Sequence, residues 1–244
     1  MPVASVPGPD VPVPAEMARV AGEPVELVWL NQAGGLTGRT AGSDGVFVKW
    51  NPPGSSESLR AEADRLAWIA GRHPTPVVLQ YTMSDAGETL VTRALAGRSA
   101  VDPRWRERPD DAVRALAVGL RALHAVPPET CPFSWSVATR IAEAERAGRE
   151  VPAEYAAAPP IDRLVVAHGD ACAPNTLIDS RGRFLATVDL GRLGLADRWA
   201  DLAVVTMSFA WNYDHFSEEL FWRTYGVEPD AERIAFYRAL WDAT

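Results

Sequence analysis

The first part of the chain alternates short apolar runs with polar or glycine-rich connections, a pattern that predicts β-strands. Residues 25–30 (VELVWL) and 45–50 (GVFVKW) are rich in β-branched and aromatic side chains. The connection 31–45 contains five glycines, which predict turns or a flexible hairpin. Residues 75–85 and 88–97 show two further apolar runs and predict two more strands.

A helix is predicted between these two pairs of strands, over residues 55–71. Its apolar positions recur at helical spacing: Leu59, Ala63, Leu66, Ala67 and Ala70. Ser55 or Ser56 can cap its start, and Gly71 can end it.

The rest of the chain is predicted to be mainly helical, with a β interruption. A strand followed by a loop is expected over 163–170, and a hairpin over 175–191 with Ser180-Arg181-Gly182 near its tip. The predicted helices cover 110–126, 134–150, 197–211, 217–226 and 230–243.

These patterns predict an α+β protein with a small β-rich N-terminal lobe and a larger, mainly helical C-terminal lobe. The composition changes near residues 94–102, so the hinge is placed at about Thr92–Gly97. We therefore expect a flexible, proline-rich N-terminus over 1–20, one lobe over 21–96 and a second over 97–244.

Charge is distributed unevenly along the chain. The net charge is −8, of which residues 1–122 carry −1 (13 basic, 14 acidic) and residues 123–244 carry −7 (11 basic, 18 acidic). An acidic protein is poorly suited to sequence-independent binding of nucleic acid, which depends on neutralising phosphates. The acidic second half either attracts a cationic small molecule or is simply a solvated surface.

Other features of the sequence indicate a cytoplasmic protein that does not bind membranes. No apolar run approaches the roughly 18 residues that a membrane-spanning helix needs. The N-terminus lacks the basic and continuous apolar regions of a signal peptide. The two cysteines, Cys131 and Cys172, lack metal-ligand spacing and are expected to be thiols in a reducing compartment.

Residues 168–192 (HGDACAPNTLIDSRGRFLATVDLGR) carry the most informative constellation. Asp170 precedes Asn175 by five residues, the spacing of a kinase catalytic loop, in which an Asp meets the acceptor hydroxyl and an Asn reaches Mg²⁺. Asp189 follows on the next predicted strand, where a kinase places its second metal ligand. Each residue alone could be a cap or part of a turn, but the ordered set favours phosphoryl transfer.

Lys49 is the only lysine in the chain, since the other 23 basic residues are arginines. It lies in a predicted strand, and Glu62 lies in the helix that follows. A kinase lysine in this setting binds the nucleotide phosphates and is held by a helix glutamate. Arginine does not replace lysine freely at a phosphate site, so a functional lysine is preferred over a chance one at the surface.

The sequence resembles the aminoglycoside 3′-phosphotransferases, bacterial antibiotic kinases with a protein-kinase-like bilobal fold. The resemblance runs from about residue 25 to residue 242. Its most specific stretches are EADRLAWIA (62–70), CPFSWSVATRIAEA (131–144), HGDACAPN (168–175), VDLGRLGLADRWADLA (188–203) and RIAFYRALWD (233–242).

The resemblance implies roles for individual residues. It implies that Lys49 binds the nucleotide phosphates and that Glu62 is its partner. Asp170 is the implied catalytic base, and Asn175 and Asp189 are the implied Mg²⁺ ligands. Thr92 and Ala94, at the predicted hinge, are further expected nucleotide contacts. Arg192 matches an arginine of the aminoglycoside site. Asp201 is expected to brace the catalytic loop, and His168 to shape it.

The acceptor region departs from the family pattern. The segment 146–163 is shorter than the usual acidic insert, and the chain ends in LWDAT, where the family is acidic and aromatic. Glu150, Glu154 and Asp242 remain candidate contacts for a cationic acceptor. The glycine-rich connection 31–45 also lacks the protein-kinase G-x-G-x-x-G pattern.

The leading hypothesis is therefore an ATP- and Mg²⁺-dependent enzyme that phosphorylates a hydroxyl of an aminoglycoside, of the 3′ type. The first alternative is a kinase of another small sugar or amino alcohol. The second is a nucleotide-binding pseudokinase that regulates a partner, which the presence of Lys49, Asp170, Asn175 and Asp189 disfavours.

Overall fold

The computed structural model describes residues 4–31, 33–42 and 45–244. The chain divides into two compact units. The first comprises Met1–Ala70 and Thr75–Ala96, and the second comprises Gly71–Pro74 and Gly97–Thr244.

The first unit is built on an antiparallel sheet, which has six strands within the described residues, in the order β1-β2-β3-β4-β6-β5. The strands are β1 (Ala4–Ser5), β2 (Glu26–Asn31), β3 (Leu36–Arg39), β4 (Val46–Asn51), β5 (Val78–Ser84) and β6 (Gly87–Arg93). The four predicted strands are thus present; β1 is an additional strand, and so is β3. The latter lies inside the connection for which only turns or a hairpin were predicted, and of which Gln32, Ser43 and Asp44 lie outside the described residues.

The first unit also contains two helices, α1 (Ala15–Ala21) and α2 (Leu59–Ile69). Met17 of α1 is fully buried in a cluster with Val25, Leu36, Val48 and Val91. The segment 1–20, for which a flexible N-terminus was predicted, thus contains β1 and most of α1. The helix is held in place by one buried side chain, that of Met17. The proline-rich sequence before it indicated flexibility and gave no sign of this contact.

The cap of α2 also differs from the prediction. Ser58, and not Ser55 or Ser56, is the N-cap, and its side chain accepts a hydrogen bond from the Ala61 N–H. The Ser55 N–H instead donates to the Pro52 carbonyl in the preceding turn. Because Ser55 belongs to that turn, the helix begins at Leu59.

The second unit contains two small sheets within the part of the chain that the structure describes. One has the order β10-β9-β7 and the other the order β11-β8, both antiparallel. The strands are β7 (Arg98–Ser99), β8 (Leu164–Ala167), β9 (Thr176–Ile178), β10 (Phe184–Thr187) and β11 (Gly194–Asp197). Strands β9 and β10 form the predicted hairpin, and Gly182 at its tip has the positive φ of 84° that a tight turn requires.

Helices form most of the regular secondary structure of the second unit. They are α3 (Pro103–Arg106), α4 (Pro109–Leu123), α5 (Val137–Arg146), α6 (Trp199–Asn212), α7 (Glu218–Tyr225) and α8 (Ala231–Ala243). Helix α4 packs against α7, and α6 packs against α8. The buried aromatic side chains of this core include Trp105, Trp199, Phe209 and Phe221. Short 3-10 helices at Pro128–Thr130, Ala153–Ala156 and Ala173–Asn175 complete the unit.

The sequence predicts neither a membrane-spanning helix nor a disulfide. In the described part of the chain, no helix has the length and apolar character needed to cross a bilayer. Cys131 and Cys172 form no disulfide there. The cytoplasmic location stays a prediction.

His73 makes the stability of the second unit depend on pH. Its Nε2 lies 2.8 Å from Thr187 Oγ1, and burial, with smaller contributions from His168 and His124, lowers its pKa from 6.5 to about 4. The unfolded chain therefore binds a proton below pH 6.5 that the folded chain rejects until about pH 4. We expect His73 to remove about 2 kcal/mol of unfolding free energy between pH 7 and pH 5.

Denaturant unfolding of the wild type and His73→Gln at both pH values measures this effect. The variant should lose less stability on acidification than the wild type does. An equal loss in the two proteins would show that His73 is not the group responsible.

Candidate active site

The loop that carries Asp170 is held between two small sheets of the second unit. Strand β8 ends at Ala167, and β9 begins at Thr176 after the 3-10 turn Ala173–Asn175. Strand β8 pairs with β11, and β9 pairs with β10. Because both ends of the loop are fixed by strand pairing, Asp170 has a defined backbone position.

A buried carboxylate fixes the first residues of this loop. Asp201, at the start of α6, accepts hydrogen bonds from the N–H groups of His168 (2.6 Å) and Gly169 (3.0 Å). His124 Nε2 lies 2.9 Å from Asp201 Oδ2. Burial acts to raise the pKa of the Asp201 carboxyl, but the contacts from His124 and His168 prevail and hold it below its usual value. Asp201 thus braces the loop, as the sequence predicts.

His168 shapes the loop through its ring. Its Nε2 lies 3.0 Å from the Val188 carbonyl, and its Nδ1 accepts the Asp170 N–H at 3.2 Å. These contacts assign the ring hydrogen to Nε2 and leave Nδ1 as an acceptor. The side chain therefore ties the loop that carries Asp170 to the segment before Asp189.

The glycine between His168 and Asp170 is required by close packing. Gly169 has φ +84°, and a Cβ at this position would clash with the backbone carbonyl of Arg192. Both the positive φ and the absence of a side chain let the two segments approach each other.

The carboxylate of Asp170 accepts two side-chain hydrogen bonds. Cys172 Sγ donates to Oδ1 at 3.0 Å, and Asn175 Nδ2 lies 3.3 Å from Oδ2. Asn175 Nδ2 also donates to the Asp170 backbone carbonyl at 2.9 Å. The orientation of the carboxylate is thus set by residues of its own loop.

Asn175 and Asp189 lie in neighbouring segments and fit a hard cation. The Asn175 backbone carbonyl accepts a hydrogen bond from the Val188 N–H at 2.9 Å. Asp189, the next residue, is thereby brought close to Asn175. Because the amide nitrogen of Asn175 is directed toward Asp170, its amide oxygen faces away from that residue. One carboxylate and one amide oxygen suit Mg²⁺, which retains most of its waters. Among the described residues, no group of three or more His, Cys, Asp or Glu could hold a metal ion.

Asp189 also has an unusual backbone. Its φ of 62° is the one positive value found outside glycine in the described residues. Such a conformation is sparsely populated for a residue with a side chain and is concentrated at functional sites.

In the first unit, Lys49 and Glu62 form the ion pair that the sequence predicts. Lys49 Nζ lies 2.8 Å from both Glu62 Oε1 and Oε2. Strand β4 presents the lysine and the first turn of α2 presents the glutamate, which is 7% exposed against 24% for the lysine. The more buried carboxylate therefore positions a partly accessible ammonium group.

Thr92 and Ala94 lie at the end of β6 in the same unit. Thr92 pairs with Phe47 and Val78 in the sheet. The Ala94 N–H donates to the Gly45 carbonyl at 3.0 Å. Since that N–H is already used, a nucleotide contact of Ala94 would have to use its carbonyl group.

Arg192 lies against an aromatic ring in the second unit. Its guanidinium is 5.7 Å from the centre of the Trp135 ring, and Arg140 lies at the same distance from that ring. Arg140 is 3% exposed and donates to Thr244 Oγ1 at 2.9 Å. This contact connects Arg140 with the end of α8, two residues from Asp242.

The three acidic acceptor candidates are exposed and lie on separate segments. Glu150 follows α5, Glu154 belongs to the 3-10 turn Ala153–Ala156, and Asp242 is in the last turn of α8. No hydrogen bond of the described residues joins these side chains to Asp170 or Arg192. The structure therefore leaves their role in acceptor binding as a prediction.

Sequence reasoning missed the contacts of Cys172, Ser208 and His124. Cys172 was interpreted only as a thiol, although its position two residues after Asp170 was a usable signal. Ser208 and His124 lie 38 and 46 residues from Asp170 along the chain, and nothing in their local sequence indicates these contacts.

Comparison with known proteins decides the family. The sequence model of the phosphotransferase enzyme family matches residues 36–237. The chain belongs to this family. Among its relatives, the streptomycin 3″-kinase of Streptomyces griseus is 34% identical, with 95% of each chain covered. The aminoglycoside 3′-phosphotransferase of Streptomyces fradiae is 35% identical, with 78% of this chain and 81% of the relative covered.

Solved structures agree with this assignment. The type VIII aminoglycoside-3′-phosphotransferase superposes with a TM-score of 0.75 at 31% identity, covering 94% of this chain and 98% of the other. The aminoglycoside phosphotransferase APH(3″)-Id from Streptomyces rimosus, in complex with ADP and streptomycin, gives 0.70 at 29%, covering 92% and 94%. A choline/ethanolamine kinase family protein from Mesorhizobium loti gives 0.63 at 25%, covering 94% and 81%. The predicted kinase-like fold is confirmed for this phosphotransferase.

Gly169 offers a test of how this phosphotransferase builds its loop. Gly169→Ala should lower both the melting temperature and turnover, because a Cβ clashes with the Arg192 backbone. Gly148→Ala is a matched control, since Gly148 has a similar φ of +78° and a Cβ added there would meet nothing within 4 Å. The control should cost only about 1 kcal/mol of backbone strain. Equal effects of the two substitutions, measured by thermal unfolding, would contradict the packing account.

Proposed function

We propose that this phosphotransferase transfers the γ-phosphate of ATP to a hydroxyl of an aminoglycoside, of the 3′ type. The observation that carries the proposal is the pair of hydrogen bonds between Asp170 and Asn175 in one loop. Asn175 Nδ2 lies 2.9 Å from the Asp170 backbone carbonyl and 3.3 Å from Asp170 Oδ2. The names of the relatives support this acceptor class. Because the match to the streptomycin 3″-kinase covers 95% of this chain, the 3″ hydroxyl is the alternative position of phosphorylation.

Asp170 is the proposed catalytic base. Its carboxylate is oriented by Cys172 and Asn175, and it would accept the proton of the acceptor hydroxyl as the new P–O bond forms. The hydroxyl oxygen attacks the γ-phosphorus and ADP leaves, so the products are ADP, the phosphorylated acceptor and a proton.

Lys49 is the proposed phosphate ligand in the first unit. Glu62 holds the ammonium group from one side, and the lysine is accessible enough to donate to phosphate oxygens as well. Thr92 and the carbonyl of Ala94 are proposed to contact the nucleotide at the end of β6.

Asn175 and Asp189 are the proposed Mg²⁺ ligands, through an amide oxygen and a carboxylate. When bound, the ion would neutralise phosphate charge during the transfer. The hydrogen bonds of Asn175 with Asp170 and with Val188 would fix the position of the Asn175 ligand, and so of the ion.

The acceptor is proposed to be a polycation. Aminoglycosides carry several ammonium groups, and the second half of the chain has a net charge of −7. Glu150, Glu154 and Asp242 are exposed carboxylates available to such a ligand. Arg192 is proposed to lie at the acceptor site by the resemblance of the segment 188–203.

A kinase of a small amino alcohol is the second candidate. The similarity to the choline/ethanolamine kinase family protein favours it, at 25% identity over 94% of this chain. Such an acceptor also carries a positive charge and a hydroxyl, so the chemistry at Asp170 would be the same.

An acceptor panel separates these functions. We expect streptomycin or a 3′-hydroxyl aminoglycoside to stimulate ADP release, and choline and ethanolamine to have little effect. Asp170→Asn should reduce stimulated turnover by about 10²–10⁴-fold while ATP still binds, because the base is lost. Stimulation by amino alcohols alone would favour the second candidate, and wild-type turnover in Asp170→Asn would remove Asp170 from the chemistry.

Lys49→Arg should reduce ATP-dependent turnover nearly as much as Lys49→Ala. The guanidinium is longer and planar, and it should not fit between the Glu62 carboxylate and a phosphate. Arg60→Lys is the control, since Arg60 forms an exposed pair with Asp64 on the same helix as Glu62. If Lys49→Arg has near-normal steady-state kinetics, phosphate binding does not require a lysine here, and the presence of the chain's only lysine at this position is accidental.

The acceptor KM should rise with salt, while the ATP KM changes much less. Attraction between exposed charges is screened over about 8–10 Å at physiological ionic strength, and a multivalent cation is weakened most. The double variant Asp242→Asn/Glu154→Gln should raise the acceptor KM with little change in kcat, since these groups supply binding and no chemistry. Asp64→Asn, which neutralises an exposed carboxylate of the first unit, is the control for either single substitution, Asp242→Asn or Glu154→Gln. An acceptor KM that responds neither to salt nor to the double substitution would exclude a polycation held by these residues.

A further inference from the structure

The thiol of Cys172 contacts the carboxylate to which the proposed function assigns proton transfer. Its sulfur lies 3.0 Å from Asp170 Oδ1 and is the donor, while the second carboxylate oxygen faces Asn175 Nδ2. Each oxygen of Asp170 thus has one donor from a residue of the same loop. A carboxylate held at both oxygens cannot rotate freely about its Cβ–Cγ bond.

Helix α6 holds the backbone next to Cys172. Ser208 Oγ accepts the Ala173 N–H at 2.9 Å and the Asn212 Nδ2–H at 3.1 Å. A hydroxyl has two lone pairs and one hydrogen, so these two bonds leave its hydrogen to donate. The bond from Ala173 ties the residue that follows Cys172 to the buried face of α6.

Ser208 is fully buried, so its position is fixed by the core of the second unit. Its hydrogen bond with the Ala173 N–H holds the loop segment from which the Cys172 thiol donates to the Asp170 carboxylate.

We propose that Cys172 is a positioning residue, which holds Asp170 Oδ1 in place and so presents the carboxylate to the acceptor hydroxyl. This inference rests on the proposed function of Asp170 and adds to it a role for the thiol.

The first test compares Cys172→Ala with Cys172→Ser. Alanine removes the donor, and we expect kcat to fall about tenfold with the KM values for ATP and acceptor unchanged within about twofold. Serine keeps a donor, so its kcat should stay within about threefold of the wild type. Cys131→Ala is the control for removal of a thiol, since the Cys131 thiol donates to the Phe133 carbonyl at 3.6 Å and not to Asp170.

A second pair of variants covers the case in which Cys172→Ala does not fold. Cys172→Thr and Cys172→Val have nearly the same shape and differ in the presence of a hydroxyl donor. The proposal expects threonine to retain more kcat than valine, at equal melting temperatures. A purely structural role would instead change the melting temperature or the KM values and would not distinguish donor from non-donor.

The outcomes separate this inference from the proposed function. If Asp170→Asn is inactive while Cys172→Ala turns over at the wild-type rate, the positioning role is wrong and the catalytic base stands. If serine gives no advantage over alanine, the hydrogen bond is not the important contact and the inference also fails. If Asp170→Asn itself turns over normally, it is the proposed function that fails.

Discussion

The buried carboxylate of Asp201 is the constraint on which the candidate active site depends. It is fully buried and receives the backbone N–H groups of His168 and Gly169 together with His124 Nε2. A buried charge is costly to leave unpaired, so these three donors and the carboxylate require one another. Because the two N–H groups belong to the residues just before Asp170, the stability of the core and the position of the candidate base are set by the same contacts.

The contacts among the candidate site residues were largely predictable because these residues follow one another in the order of a kinase catalytic loop. The spacing of Asp170, Asn175 and Asp189 indicated one loop and one hairpin, and the structure brings Asn175 into contact with both Asp170 and the segment before Asp189. Lys49 was conspicuous as the only lysine. Its pairing with Glu62 follows from a strand and a helix that local periodicity could identify.

The remaining features depend on contacts between distant parts of the chain. Burial of Met17 orders a helix in a segment whose prolines indicated flexibility. The choice of Ser58 over Ser55 as the cap of α2 was decided by a turn at Pro52. The hydrogen bond from the Ala173 N–H to Ser208 joins α6 to the loop, and no periodic pattern records such a contact. Polar networks of this kind are specified by the fold as a whole.

The chemical identity of the product tests the central claim most directly. The purified protein can be incubated with Mg²⁺, ATP and streptomycin or a 3′-hydroxyl aminoglycoside, and the acceptor examined by mass spectrometry and ³¹P NMR. The account predicts an acceptor that has gained one phosphoryl group as a phosphate monoester, formed in step with ADP and absent with Asp170→Asn. ADP formed without any phosphorylated acceptor, or a phosphoryl group found only on an amino alcohol, would contradict it.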